Sequence, residues 1–204
     1  MQEIISEISH WLEEEESIAI ATVIETWGSA PRGVGAKMAL TASGKIAGSV
    51  SGGCVEGAVI NAGIEVLRTR QAQLLCFGVE DETAWRVGLA CGGTIEIFVQ
   101  PLREVILHAL LEATGRPSAT VTIVRGPSEL LGRQLLFVKN ERGAGGLGEG
   151  LDEPATDAAR EALQEGRSCR MEFSCSDQDT ASMMVARQRP AALQPHALGV
   201  RQGE

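Results

Sequence analysis

The sequence predicts an α/β protein with mixed sheets and helices, arranged as two pseudo-twofold halves that arose by internal duplication. Three observations predict this. Short β-branched runs alternate along the chain with runs of helical period. The stretch "ATVIETWGSAPRGVGAKMALTASGKIAG" can be laid on "ATVTIVRGPSELLGRQLLFVKNERGAGG" at an offset of roughly 97, which matches Thr22 to Thr120, Gly35 to Gly132 and Leu67 to Leu163. Finally, 204 residues, 44% of them apolar, are enough for two such halves to complete one core between them.

Taken in order, Ile4, Ile8 and Leu12, with Ile5 and Trp11, form an apolar stripe at helical spacing, while Glu3, Glu7 and Glu13 to Glu16 face water; the helix ends at Ser17. "IAIATVIET" reads as a strand, and "KMALTASGKIAGSV" as two strands joined by a turn at Ser43 and Gly44. "VEGAVINAGIEVLRTR" returns to helix, with Val55, Val59, Ala62 and Val66 on its inner face. "AQLLCFGV" and "GGTIEIFVQPL" are two further strands, the second stopped at Pro101. After a helix near 103–113 the same order recurs. The expected unit is a single domain over 1–190, with halves of about 1–102 and 103–190; residues 191–204, "AALQPHALGVRQGE", have no period and read as a tail.

Composition removes several classes of function. A net charge of −9 with 3% aromatic residues supplies neither the charge nor the stacking groups of a nucleic-acid binder. The opening "MQEIISEISHWLEEEES" has no basic start and no continuous apolar core, so it reads as neither a signal nor a transit peptide, and no run reaches membrane-spanning length. Five cysteines, an odd number spread along the chain, point to reduced thiols in a cytoplasm. Without a C-x-x-C pair, and with three dispersed histidines, the sequence suggests neither structural zinc nor a thioredoxin-like centre.

Three glycine-punctuated stretches carry the chemistry. In "GSVSGGCVEGAVI" a cysteine follows two glycines at the start of a helix. The amide hydrogens of Gly53, Cys54 and Val55, aided by the helix dipole, would stabilise an anion or a thiolate there, so Cys54 suits a nucleophile, a sulfur carrier or a soft-metal ligand. A small buried cysteine beside a tight turn is the plainer alternative. Glu56 in the first helical turn is either a capping carboxylate or a ligand contact.

In "GLACGGTIEIFV" the order reverses, and Cys91 precedes two glycines that feed a strand. Two glycine-flanked cysteines in one half, with none in the matching places of the other, suggest a site kept in one copy. Cys76, Cys169 and Cys175 fall in strand-like runs and read as core or incidental residues. "TWGSAPRGVGAK" offers Ser29, Arg32 and Lys37 on a turn; arginine suits a bidentate grip on phosphate, and a solvated hairpin is the alternative. "GAGGLG" at 143–148 matches a dinucleotide fingerprint only formally and is explained as the second half's counterpart of the first half's turn.

Together, "ATVIETWGSAPRGVGAKM", "GSVSGGCVEGAV" and "GLACGGTIEIFVQPL" resemble the N-terminal domain of the XdhC/CoxI family, accessory proteins for xanthine dehydrogenase and carbon monoxide dehydrogenase, over about residues 18–102. The resemblance implies a cytoplasmic, non-catalytic maturation chaperone. Such a protein binds molybdenum cofactor transiently, as molybdopterin or its dinucleotide form, protects it around sulfuration by a cysteine desulfurase, and passes it to the apo-enzyme of a molybdenum hydroxylase. Carried onto this chain, it implies cofactor contacts at Ser29, Arg32 and Gly33, at Ser51, Gly52, Gly53, Cys54 and Glu56, and at Cys91, Gly92 and Gly93. Cys54 and Cys91 would be the contacts for molybdenum or its sulfur. Many members add a C-terminal Rossmann-like domain; this sequence ends without one, so loading is expected to proceed either alone or with a separately encoded partner. A homodimer is expected because a duplicated α/β unit has sheet edges to cover. The alternative from another class is a thiol-dependent sulfur-transfer enzyme that carries a persulfide on Cys54 or Cys91.

Overall fold

A computed structural model of the chain describes residues 4–28, 30–78, 93–113, 115–139, 141–174 and 180–188. The expected tail at 191–204 and Cys175 lie outside these residues. The layers follow from strand alternation. Strand β1 (Ile18–Trp27) sends Ala19, Ala21 and Val23 to one face and Ile18, Ile20 and Ile24 to the other, and all six are buried. A strand apolar on both sides must sit in the middle of a sheet covered on both faces. It pairs antiparallel with β2 (Lys37–Thr41) on one side and β5 (Thr94–Pro101) on the other. The edges are β3 (Ile46–Gly48) and β4 (Gln73–Phe77), giving the order β3-β2-β1-β5-β4.

Helix α2 (Glu56–Thr69) covers one face of this sheet and packs Val59, Val66 and Leu67 against Ala21, Leu40, Ile97 and Val99. Its inner face differs from the predicted one. Ala62 is only half-buried, and Gly63 is buried instead, so close to β2 that a Cβ there would come within 2.6 Å of a Leu40 methyl carbon. The missing side chain sets how closely helix and sheet approach.

Helix α1 (Ile5–Glu13) covers part of the other face, where Ile8 and Trp11, with the preceding Ile4, meet Ile18, Ile20 and Ala39. Helix α3 (Glu104–Glu112) opens the second half and places Ile106 and Leu110 on Leu136 and Val138. Strands β6 (Ser118–Arg125), β7 (Gln134–Val138), β8 (Glu141–Gly145), β9 (Cys169–Ser174) and β10 (Thr180–Gln188) form a second antiparallel sheet in the order β8-β7-β6-β10-β9. Helix α4 (Asp152–Glu165) covers its outer face with Ala155, Ala158, Ala159 and Ala162. Between the sheets, Ile24 and Phe98 of the first half meet Val124 and Met184 of the second. No described helix is long and apolar enough to cross a membrane.

The two strand orders are the same, as a duplication requires, and the match extends to single residues. Gly48 and Gly145 both have positive φ, 77° and 79°; a Cβ on either would lie 2.4 Å from the Lys37 carbonyl oxygen or 2.2 Å from that of Gln134. Thr22 stands opposite Lys37 as Thr122 stands opposite Gln134. The structural counterpart of Thr22 is therefore Thr122, two residues beyond the Thr120 that sequence alignment selects. The β1–β2 connection is longer than the β6–β7 one, and a single offset cannot follow both the strand and the hairpin. Gly35 and Gly132 are true counterparts: each amide donates to the strand before it, to Val23 and Ile123 respectively. Each also touches the opposite half, Gly35 beside Ser168 and Gly132 beside Gln100 and Ala72.

Candidate functional site

Strand direction brings the described parts of the glycine-rich stretches to one end of the first sheet. β1 runs toward Trp27 and β3 toward Gly48, while β4 ends at Phe77 and β5 begins at Thr94; the registers Trp27 to Thr94, Met38 to Gly48 and Phe77 to Ile95 put these termini at one end of the sheet. The connections 28–36 and 49–55 leave from that end, and Gly78 and Gly93 stand there too. Pro31 lies against Gly52, where a Cβ would sit 3.5 Å from the proline's Cβ. Ser29, Cys91 and Gly92 lie outside the described residues, and Gly93 is buried at the start of β5.

Glu56 is the hub of the second loop. It opens α2, and its carboxylate turns back to accept hydrogen bonds from the Ser49 hydroxyl at 2.7 Å, the Ser51 hydroxyl, and the amides of Ser51, Gly52 and Gly53 at 2.9, 3.0 and 2.8 Å. Ser51 Oγ in turn accepts from the Val55 amide at 3.0 Å. Partial burial raises the pKa of this carboxyl, but the hydrogen bonds from Ser51 and Ser49 outweigh it and bring the value to about 2. The positive φ of Gly52 and Gly53, 77° and 118°, allows the chain to wrap around one carboxylate.

This corrects the expected use of the loop amides. Gly53 N–H and Val55 N–H do not face an open anion site: Glu56 and Ser51 occupy them. The helix begins at Glu56, two residues after Cys54, which is half-buried against the core under α2. Ser49 belongs to the same cluster, yet a lone serine seven residues before a glutamate gives no local signal in the sequence. In the second half Asp152 plays the shorter version of this role, accepting from Leu147 N at 2.6 Å and pairing with Arg142 at 2.8 Å. "GAGGLG" spans the end of β8 and the connection to α4, and β8 is an antiparallel edge strand, not the parallel strand of a dinucleotide fold.

Arg32 and Gly33 are exposed on the β1–β2 connection, and a Cβ at Gly33 or Gly53 would meet nothing within 4 Å, so a ligand can approach the backbone at both places. Cys76, read as a core or incidental residue, is exposed and so not part of the core. Its thiol donates to Glu96 at 3.6 Å, and burial of part of the group together with the Glu96 charge pushes its pKa up. Cys169 is half-buried, and burial raises its pKa as well.

Residues 11–78 match the XdhC and CoxI family. The chain is 30% identical over 95 residues to a probable xanthine dehydrogenase subunit of Bacillus subtilis (strain 168), a match covering 46% of this chain and 29% of that protein. It is 33% identical over 85 residues to the molybdenum cofactor insertion chaperone PaoD of Escherichia coli (strain K12), covering 42% and 26%. The matches thus span less than a third of the length of these relatives. The crystal structure of a xanthine dehydrogenase from Bacillus halodurans superposes with a TM-score of 0.57 at 22% identity, over 69% of this chain and 44% of that one, a likeness of fold.

Proposed function

We propose, for a chain whose residues 11–78 are those of the XdhC and CoxI family, a maturation factor that binds molybdenum cofactor and hands it to the apo-enzyme of a molybdenum hydroxylase. The observation that carries this reading is the meeting of the glycine-rich connections at one end of the first sheet, with Cys54 among them. The corresponding β8–α4 connection of the second half, residues 146–151, has no cysteine. The likeness to PaoD supports the same reading.

The residues suit the cofactor. It presents a phosphate, a pterin rich in hydrogen-bonding edges and a metal that favours sulfur. Against these the site offers the Arg32 guanidinium, open backbone at Gly33 and Gly53, and the Cys54 thiol. With Glu56 holding the loop amides, the loop is tied together by its own side chain, and Cys54 is a contact for molybdenum or its sulfur, not an amide-stabilised nucleophile. In this reading Cys91 and Gly92, which lie outside the described residues, are further cofactor contacts. The cofactor is bound transiently in the cytoplasm, a cysteine desulfurase is a partner, and loading proceeds either alone or with a separately encoded Rossmann-domain protein. The protein pairs as a homodimer through sheet edges that carry no further strand among the described residues.

The test is anaerobic purification after co-expression with the cofactor pathway, followed by metal analysis and pterin fluorescence. Stoichiometric molybdenum and pterin are expected, with molybdenum reduced in Cys54→Ser. Absence of both signals from the unaltered protein overturns the reading, and light scattering that shows a monomer at tens of micromolar overturns the dimer.

A further inference from the structure

A cleft of about 630 Å³ lies where the β1–β2 connection of the first half meets the α4–β9 turn of the second. Its lining includes Arg32 and Lys37 from one half and Arg167 and Arg187 from the other, and no carboxylate. In a chain of net charge −9 this is a local reversal of sign. Lys37 Nζ donates to Thr22 Oγ1 at 2.8 Å, and Arg187 donates from Nη1 to the Gly166 carbonyl at 3.3 Å and from its amide to Ser168 Oγ at 3.1 Å. Arg167 pairs with Glu165, outside the lining, at 2.6 Å. Among the described residues Arg32, Lys37 and Arg187 form no ion pair.

The duplication supplies an internal control. Where the first half has Lys37 against Thr22, the second has Gln134 against Thr122, with its amide donating at 3.1 Å. Arg70 and Gly166 end α2 and α4 in the same left-handed conformation, so Arg167 and Ser168 correspond to Gln71 and Ala72. Arg187 stands opposite Ala119 as Pro101 stands opposite Ala19. Three of the four cations therefore have neutral counterparts, and Arg32 lies on the longer hairpin connection. The fold is built without these charges on the other side, so they are not a structural requirement.

We infer that this cleft binds the terminal phosphate of a phosphorylated small molecule, held by Arg32, Lys37 and Arg187 with Arg167 at the rim. Several cations without a neighbouring acid match an anion of more than one charge, and guanidinium forks match phosphate oxygens. The volume exceeds that of a bare phosphate and falls within the range of small-molecule pockets, about 300–1,000 Å³, which leaves room for an organic body. The inference stands on the cleft itself and depends on the cofactor reading only for the ligand's identity, since molybdenum cofactor carries such a phosphate.

Calorimetric titration of the full chain with inorganic phosphate, pyrophosphate and a nucleoside 5′-monophosphate is the test. The ester should bind more tightly than inorganic phosphate. Lys37→Gln and Arg187→Gln should each weaken it by about ten- to a hundredfold, the value of one charge-assisted hydrogen bond. Lys37→Gln copies the residue the second half already uses and keeps the fold; thermal melting checks it. Arg70→Gln, in the corresponding place on the other side, should change nothing. No binding at millimolar ester, equal affinity for ester and inorganic phosphate, or an equal loss in Arg70→Gln would each overturn the assignment. Pterin content is measured separately: protein that binds the ester but never carries pterin overturns the cofactor reading and leaves the cleft standing, whereas pterin retained in Lys37→Gln plus Arg187→Gln leaves the cofactor reading standing and removes the cleft from it.

Discussion

Glu96 of β5 accepts a hydrogen bond from Arg125 of β6 at 2.6 Å, joining the first half to the second. Arg170 of β9 approaches the other Glu96 oxygen at 3.1 Å and also pairs with Glu25, so one largely buried carboxylate bridges two arginines at the boundary between the sheets. Glu96→Gln keeps the shape and removes the charge. It is expected to lower stability by about 1–3 kcal/mol, because Arg125 then loses its ion-pair partner and Arg170 loses one of its acidic neighbours, keeping Glu25. The urea midpoint of the full chain checks this. The same variant removes the Glu96 charge that helps raise the Cys76 pKa, so alkylation of Cys76 by iodoacetamide near pH 8 should be faster, read by peptide mass spectrometry.

Glu56 sits near 2, below the ordinary 4.5, so the folded state binds its proton less readily than the unfolded chain. Its contribution to stability is complete above about pH 4.5 and is lost as pH falls through about 2. After allowance for solvent screening of a half-exposed group, that contribution is about 1–2 kcal/mol. Glu56→Gln should show this deficit at pH 7, and the gap from the unaltered protein should close toward pH 2 in denaturant titrations.

Gly48→Ala and Gly145→Ala are expected to cost about 2–4 kcal/mol each, from a clash with a backbone oxygen added to a positive φ. Thermal melts of both variants should fall together, since the two positions are structural counterparts. Gly53→Ala has open space at its Cβ, so it loses only through backbone conformation and should cost less than either.

Burial brings the Lys37 ammonium to about 8 from an ordinary 10.5. The unfolded chain therefore holds more protons between those values, and stability rises with pH across that window. Lys37→Gln removes the penalty. At pH 7 it should be more stable than the unaltered protein by about 1–3 kcal/mol, and the difference should vanish above about pH 10.5.

Wherever local pattern decides, the sequence was a sufficient guide. The stripe of Ile4, Ile8 and Leu12 with Ile5 and Trp11, the turn at Gly44 and the recurring element order all reflect periodicity and turn chemistry. Each is present, with Ile4, Ile8 and Trp11 buried and Ile5 and Leu12 half-buried at the margin of the stripe. Gly63 escaped because close approach of a helix to Leu40 is a tertiary fact. Cys76 lies in a strand at a sheet edge beside charged neighbours from the other half, so its exposure is set by residues far away in sequence. The Glu56 hub was half legible: a carboxylate in a first turn suggests a cap, but five donors folded around it require the two left-handed glycines to be seen in place. Arg167 and Arg187 carry no local motif, and only the packing of one half on the other brings them to Lys37.

A symmetric pair of separate chains must present the same residue on both sides of its axis, because one gene writes both. Fusion of the two copies lifts that constraint. With Lys37 on one side and Gln134 on the other, the same hydrogen bond to a threonine is kept twice, while the charge is kept once. One copy can then drift toward ligand chemistry while its twin continues to hold the architecture, and a substitution that spoils the first need not weaken the second.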